Sequence, residues 1–487
     1  MLKRIITLIL LTVNLVVLSQ KQVTEFKNAS EKLNNLSAVI NSKTNETLFL
    51  STDNKNIHGY LFDQDFKLLK QVQAKKEKKY TILLGYKILN NNEYIIYLSN
   101  KKLNKFKRIK FNIDSSKSES NEFTLLRDYE TVLQTVSTNN NFYLISTSKA
   151  VNNMYIYTFD FDKSPVRNTI DFSGITFLNH LGKPERLMNI LVKDEALSEK
   201  ETLLKYTDGF PSDIKTTIEK RKLYVKDNKI LISLDNYTNE TQIISINLNN
   251  LKATYKSVKK PLQDVKRNKK LSNSYIQKNK IYTFAASRKK AEFIVKDLES
   301  DSLIYNSFIH LEGKILNKKG FENISDYKEA KRFLLHDYTL GINPIKKDSN
   351  VFIELAIGSL KKGVPSFDKT LSSPVLSNQV SYFDISEENL FFDAIQHHFD
   401  AKSEGYFLYN KTDFVLNSEF KETSLNHENV IDTINKDFYS TNRIVKVYEL
   451  FRKRKHLKDV IFKLNNSYIF SFYHEKSNSI KLYEYKE

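Results

Sequence analysis

The chain has 487 residues, with 76 Lys+Arg against 57 Asp+Glu, a formal net charge of +19, 11 Gly, 7 Pro, no Trp and no Cys. The lack of Cys excludes disulfides, thiolate zinc sites, iron–sulfur clusters, a cysteine nucleophile and a lipid anchor on an N-terminal cysteine. A composition that is 40% hydrophobic and 12% aromatic can bury a large core, which argues against wholesale disorder.

The basic balance has two readings. One is attraction to a polyanion such as an anionic glycan, a membrane headgroup or nucleic acid. The other is codon drift, because Lys and Asn are abundant while Gly and Pro fall below their usual ~7% and ~5%.

Residues 1–20 read as a signal peptide. Lys3 and Arg4 precede an apolar stretch from Ile5 to Leu18, and small Ser19 stands before Gln20. The stretch is shorter than the ~20 residues a spanning helix needs. No later window is apolar for ~18 residues, so the cleaved chain is not expected to be integral to the membrane. The Ser-Gln junction resembles export signals of Bacteroidetes. The implied location is periplasmic, outer-membrane-associated or extracellular.

Residues 21–47 read as an N-terminal extension. Within it, Phe26, Leu33, Leu36 and Ile40 suggest a short helix over Thr24–Ile40. From residue 48 to 487 one pattern recurs: an alternating strand, a polar turn, then a second alternating strand. Leu48 to Phe62 is a weak copy. Tyr94–Ser99 turns through Asn100–Lys102 toward Ile113. Phe142–Ser146 leads to Met154–Phe161, and Ile230–Leu234 leads to Gln242–Leu248. Ile281–Ala285 leads to Phe293–Leu298, and Tyr468–Tyr473 leads to Ile480–Tyr485. Alternation of β-branched and aromatic residues is the strand signature.

Starts near Leu48, Tyr94, Phe142, Met188, Ile230 and Ile281 lie about 42 to 51 residues apart, the period of propeller blades. The middle strands are apolar on both faces, with Tyr155, Tyr157 and Phe159 on one side and Met154 and Ile156 on the other. A sheet pressed between two neighbours needs two dry faces. On these hairpins and this spacing the chain resembles divergent β-propeller proteins of secreted bacterial type. The resemblance covers most of Leu48–Glu487. It lacks a repeated Trp-Asp pair, a kelch Gly-Gly pair and an Asp-box turn. The expected fold is all-β: a propeller of seven or eight four-stranded blades. The last strand, Lys481–Tyr485, would close the ring by pairing near the mature N-terminus. With so little Gly, the turns must use Asn and Asp.

Between residues 321 and 390 the rhythm breaks. Ser325 to Leu335 reads as a capped helix, and Pro344, Pro365 and Pro374 follow, after Pro261 at the preceding boundary between repeats. This region is expected to be an irregular, partly helical insertion on one face of the ring, either a plug or part of a binding face.

Catalytic motifs are absent from the sequence: there is no Gly-x-Ser-x-Gly elbow, no P-loop and no His-Glu-x-x-His helix. Ser-x-x-Lys occurs at Ser99, Ser146, Ser287 and Ser359, as chance allows in a Lys-rich chain. The densest polar constellation is Asp393, His397 and Asp400. On a helix, Asp393 and His397 would share a face and could hold a metal; a solvated edge explains them equally. Acidic pairs Asp63/Asp65, Asp160/Asp162 and Asp297/Asp301 stand where turns are expected, as turn-formers or as calcium or acid–base pairs. Basic runs at Lys75–Lys79, Lys259–Lys270 and Arg452–Lys458 are solubilising loops or a polyanion patch, for which Lys259, Lys260, Arg452 and Arg454 are the candidates.

The reading that follows is an exported, non-enzymatic propeller that binds or scaffolds at the cell envelope or outside the cell. It would need no cofactor, and its partner would be a protein or glycan rather than nucleic acid. One alternative is a hydrolase or lyase on polysaccharide or peptide, with its site at the channel mouth. Another is a receptor for anionic glycan or lipopolysaccharide.

Overall fold

The computed structural model describes residues 21–192, 203–310, 338–362, 405–421 and 459–486, with short breaks at 31–32, 42, 91, 126, 139–140, 208–213, 215–216, 227, 288–289, 348–349 and 465–466. Each alternating segment of the sequence is a strand. The chain opens with β1 (Lys21–Lys27) and then builds a first sheet from β2 (Asn35–Asn41), β3 (Glu46–Thr52), β4 (Asn56–Phe62) and β5 (Leu68–Lys75). The second sheet is β6 (Ile82–Asn90), β7 (Glu93–Ser99), β8 (Phe106–Asn112) and β9 (Lys117–Phe123). The third is β10 (Glu130–Thr138), β11 (Asn141–Ser148), β12 (Asn153–Thr158) and β13 (Val166–Asp171).

A small hairpin of β14 (Phe177–Leu178) and β15 (Pro184–Glu185) and a short helix, α1 (Leu187–Leu191), lead into the fourth sheet. That sheet has five strands: β16 (Leu204–Thr207), β17 (Arg221–Lys226), β18 (Lys229–Leu234), β19 (Glu240–Asn247) and β20 (Ala253–Lys259). The fifth is β21 (Lys270–Gln277), β22 (Lys280–Ser287), β23 (Lys290–Asp297) and β24 (Leu303–His310). The sixth shows three described strands, β25 (Tyr338–Lys347), β26 (Asn350–Lys362) and β27 (Gly405–Leu416). The last comprises β28 (Asp459–Leu464), β29 (Ser467–His474) and β30 (Ser479–Lys486), completed by β1. This is an all-β propeller, with seven blades among the described residues. Every pairing within a blade is antiparallel except β16 on β17.

The two-faced apolar pattern has the expected consequence. Met154 and Ile156 of β12 enter a core shared with the fourth blade, where Ile230, Ile232 and Ile244 lie. Tyr155 and Tyr157 of the same strand enter a separate core with Ile95 and Tyr97 of the second blade. Alternate side chains of one strand therefore glue its blade to both neighbours. A buried hydroxyl on a middle strand recurs in six blades: Ser51 of β3, Ser99 of β7, Ser146 of β11, Ser233 of β18, Thr283 of β22 and Ser471 of β29 are each fully buried.

Ring closure uses the two chain ends as expected. β1 pairs with β30 from Lys21↔Glu484 to Lys27↔Ser479. Phe26 packs its ring 4.8 Å from Tyr60 and 4.9 Å from Phe62 of the first blade. Phe49 lies 5.4 Å from Phe462 across the same junction. This arrangement corrects the helix expected over Thr24–Ile40, and β1 and β2 are part of the propeller rather than of an extension. In β2, Leu36, Ala38, Val39 and Ile40 are all buried. Side chains buried in succession fit a strand with two dry faces, whereas a surface helix needs a polar stripe.

Two further expectations are corrected. Met188 does not start a repeat, since it lies in α1, where Leu187, Ile190 and Leu191 bury one face at helical spacing. The region 321–390 is not irregular throughout, because 338–362 forms β25 and β26. Pro344 is tolerated there because β25 is the first strand of its sheet, where a missing N–H costs little. Its carbonyl accepts a hydrogen bond from Gln277 Nε2 of the fifth blade at 3.1 Å. The helix expected at Ser325–Leu335 lies outside the described residues.

Two of the three acidic pairs contain a turn-former, whereas Asp160 pairs with Lys87 and Lys163 at 3.6 and 3.7 Å. Asp63 Oδ1 accepts from the backbone N–H of Asp65 and Lys67 (3.0 and 2.9 Å), and Asp297 Oδ1 accepts from Glu299 and Ser300 (3.0 and 2.9 Å). The left-handed position that follows is filled by bulkier residues than expected: Phe66, Leu251 and Phe420 have φ of 58°, 56° and 59°. Such a conformation costs about 1 kcal/mol or more. Burial of the Phe66 and Phe420 rings offsets it.

Candidate functional site

Antiparallel order sorts the connections of a blade. Second-to-third-strand turns and blade-to-blade crossings emerge on one face of the ring, called here the loop face. First-to-second and third-to-fourth turns emerge on the other, the turn face. The loop face therefore receives 53–55, 76–81, 100–105, 127–129, 149–152, 235–239 and 260–269.

Two buried carboxylates, Glu130 and Asp235, and the half-buried Asp53 sit directly at this face. Asp53 Oδ1 accepts from the backbone N–H of Lys55 and Asn56, both at 2.6 Å, and its Oδ2 lies 3.4 Å from His58 Nε2. Burial alone would raise its pKa, but these donors together with the Ser30 hydroxyl outweigh it and hold the carboxyl at about 2. Glu130, at the start of β10, accepts from the Tyr157 hydroxyl at 2.7 Å and the Ser146 hydroxyl at 2.8 Å, and pairs with Arg167 Nε at 2.9 Å. The Arg167 guanidinium lies 3.6 Å over the Tyr155 ring.

Asp235 is the most enclosed of the three. Lys260 Nζ lies 2.9 Å from its Oδ1 and Lys222 Nζ 3.1 Å from its Oδ2, and the side chains of all three residues are 0% exposed. Thr241 and Ser274 hydroxyls each donate to it at 2.8 Å. Burial would push the carboxyl up, yet Lys260 and Lys222 hold it far below the usual carboxylate range. Burial lowers Lys260 to about 8 against the opposing pull of Asp235. Lys260 also donates to the Tyr237 carbonyl at 2.8 Å, and Ser274 belongs to the fifth blade, so the cluster pins a loop and joins two blades.

Chemically, these groups are acceptors already satisfied by the protein's own donors: Asp53 and the Asp235 cluster hold loop-face turns in one shape, and Glu130 ties together the strands of its blade. The charge exposed above them is basic. Lys78, Lys101, Lys102, Lys266, Arg267 and Lys269 are all exposed on this face. Of the acids there, Glu77 is taken by Lys107 at 3.0 Å and Asp264 by Lys290 at 2.8 Å, while Asp128 is exposed beside Arg127. The turn face differs. Asp63, Asp65, Asp114, Asp160, Asp162 and Asp301 lie there among Lys67, Lys163 and Lys252, and it carries ion pairs Lys163–Asp160, Lys296–Asp301 and Lys421–Glu419.

Of the expected polyanion patch, Lys259 is exposed at the end of β20, but Lys260 is corrected to a buried structural cation. Arg452 and Arg454 lie outside the described residues, as do Asp393, His397 and Asp400. Among the described residues no group of three or more His, Asp or Glu is arranged to hold a metal ion. None of those residues forms a helix long and apolar enough to cross a membrane, which says nothing of a β-barrel. In two Ser-x-x-Lys motifs the partners lie elsewhere: Ser99 Oγ donates to the Lys105 carbonyl, while Ser146 serves Glu130 and Lys149 Nζ donates to the Asp128 carbonyl; in a third, Ser287 Oγ donates to the backbone carbonyl of Lys290 at 2.9 Å, and Lys290 Nζ pairs with Asp264.

Sequence reasoning overlooked Lys101, Lys102 and the rim pair Arg127–Tyr129. Tyr129 is 36% exposed, and Arg127 Nη1 donates to its hydroxyl at 2.8 Å. Sorting the turns by face before counting their charge would have found them.

No protein-family model matches the chain, and no curated protein matches it. Among solved structures, it is similar to the β-propeller domain of Vanderwaltozyma polyspora Nup133, at 11% identity and a TM-score of 0.31, over 96% of this chain and 100% of that one. It is similar to the WD40 domain of fission-yeast SCAP at 9% identity and a TM-score of 0.26, over 67% and 73% of the two chains. An ACO/RPE65 chimera matches at 7% identity and a TM-score of 0.28 over 57% of this chain, which spans 62% of the chimera's length.

Proposed function

We propose that this chain is an exported, non-enzymatic binding or scaffolding propeller acting at the cell envelope or outside the cell, and that the loop face is its binding surface. The observation that carries this reading is the contrast between the two faces. The half-buried Asp53 and the buried Asp235 are spent on fixing loop-face turns, and the buried Glu130 on tying its blade's strands together, while the exposed charge above them is predominantly cationic. A surface held in one shape before contact loses little ordering entropy on binding. Blade-to-blade connections, the variable part of a repeat fold, open on the same side.

Export is supported by the sequence of residues 1–20 and by the position of β1. Cleavage at Ser19–Gln20 would leave the closing strand from Lys21 whole. The full cleaved chain should bind without turnover. Incubation with polysaccharide and peptide libraries should release no new reducing ends or amino termini. Release that is abolished by Asp393→Ala, His397→Ala or Asp400→Ala would replace this reading with the hydrolase.

A further inference from the structure

The loop face has the chemistry of a receptor for a long, soluble polyanion, and the ligand can be narrowed further. Its cations do not converge on one pocket. They are distributed over connections of several blades: Lys78 between the first and second, Lys101 and Lys102 within the second, and Lys266, Arg267 and Lys269 between the fourth and fifth. A single phosphate or carboxylate would reach one such group, whereas a polymer with repeated negative charge reaches all of them and releases counterions at each. The loops that carry them are polar at their tips: Glu77-Lys78-Lys79, Asn100-Lys101-Lys102 and Lys266-Arg267-Asn268-Lys269. Insertion into a bilayer needs bulky apolar tips, which these loops lack. At the rim, the exposed Tyr129 ring is held by Arg127, whose guanidinium lies 6.0 Å from the ring centroid, and by Arg167 Nη2 at 3.3 Å from its hydroxyl. An exposed aromatic plane beside the Arg127 guanidinium, with Arg167 itself held by Glu130, suits the apolar face and acid group of a sugar acid.

From this arrangement, and resting on the binding reading above, we infer that the loop face binds an acidic polysaccharide, a carboxylated or sulfated glycan chain laid across several blades. Its affinity comes from many weak charge contacts, so it falls steeply with salt.

The test uses the full cleaved chain with dextran sulfate and polygalacturonate as probes and neutral dextran as the control. Affinity is measured by calorimetry or interferometry between about 0.05 and 0.3 M salt. Both acidic polymers should bind, neutral dextran should not, and affinity should fall at least about tenfold over that range. The combined variant Lys78→Gln, Lys101→Gln, Lys102→Gln, Lys266→Gln and Lys269→Gln should lose at least about tenfold in affinity and show a shallower salt slope. Replacing Lys67, Lys117 and Lys252 of the turn face with Gln should change affinity by less than about twofold. These substitutions are all exposed, so circular dichroism and the thermal midpoint should match the parent; the salt titration of the unmodified chain stands even if a variant fails. Salt-insensitive binding, equal loss from either face, or tighter binding to anionic phosphatidylglycerol vesicles or duplex DNA would overturn the inference. Shortening of the polymer during incubation would instead overturn the non-enzymatic reading and leave the surface assignment in place.

Discussion

Lys260 and Asp235 form a fully enclosed ion pair, Nζ to Oδ1 at 2.9 Å, at the junction of the fourth and fifth blades. Enclosure makes the pair asymmetric. Asp235 serves two ammonium groups and two hydroxyls, whereas Lys260 also has the carbonyl of Tyr237. Removing the shared carboxylate leaves two buried cations without a counter-charge. Removing one lysine leaves a carboxylate that is still partnered.

Asp235→Ala should therefore destabilise the fold by about 3–5 kcal/mol, the cost of uncompensated buried charge. Lys260→Met keeps the volume and should cost less than about 2 kcal/mol. Urea midpoints for the two variants check the order. Equal losses would mean that Lys222 alone cannot keep the buried carboxylate partnered, and would overturn the asymmetry.

Asp53 predicts the acid limb of the stability curve. Its carboxyl titrates at about 2 in the fold against an ordinary 3.8, so the unfolded chain binds the proton more readily. The group stabilises the fold at pH above 3.8, and that contribution fades as the pH falls through about 2. It amounts to about 2 kcal/mol. Asp53→Asn should flatten the loss of stability over this window while lowering stability at neutral pH by a similar amount. Denaturant titrations at a series of acid pH values read both.

Much of this fold is legible in the residues. Met154 and Ile156 against Tyr155 and Tyr157 announce a strand with two dry faces, and the structure divides them between two separate cores. Lys481–Tyr485 closes the ring as its place at the chain end suggests. The candidate site is less legible because burial decides a charge's role. Lys259 and Lys260 are neighbours of one type in one basic run, yet one is exposed and the other is locked on Asp235. Nothing local separates them, since the partner Asp235 follows β18, two strands away in the same blade. The residues from Thr24 to Ile40 misled for a related reason: strand or helix was settled by β30 at the other end of the chain and by the β3 hairpin.

The closing strand makes its own prediction. Phe26 lies half-buried between Phe49, Tyr60 and Phe62, and Lys27 Nζ donates to the Ser477 carbonyl at 2.8 Å. Phe26→Ala should cost about 2 kcal/mol, less than a fully buried ring would. Deleting residues 21–27 should do more, because it leaves the β30 edge unpaired and open to other chains. Light scattering should then show concentration-dependent association, which Phe26→Ala alone should not cause.

Gly85 tests the packing between the second and third blades. It sits at a bulge in β6 opposite Tyr97, and a Cβ placed on it would come within 2.6 Å of both the Phe142 ring and the Ser137 hydroxyl oxygen. Neither neighbour is free to retreat. Phe142 stacks on Tyr97 with ring centroids 4.2 Å apart, and Ser137 Oγ accepts the backbone N–H of Tyr86 at 3.2 Å. Gly85→Ala should therefore cost about 1–3 kcal/mol through overpacking. Truncating the ring it strikes, Phe142→Leu, should cost stability by itself but recover part of the Gly85→Ala loss in the double variant. That non-additivity is the signature of direct contact, and thermal midpoints of the four proteins measure it.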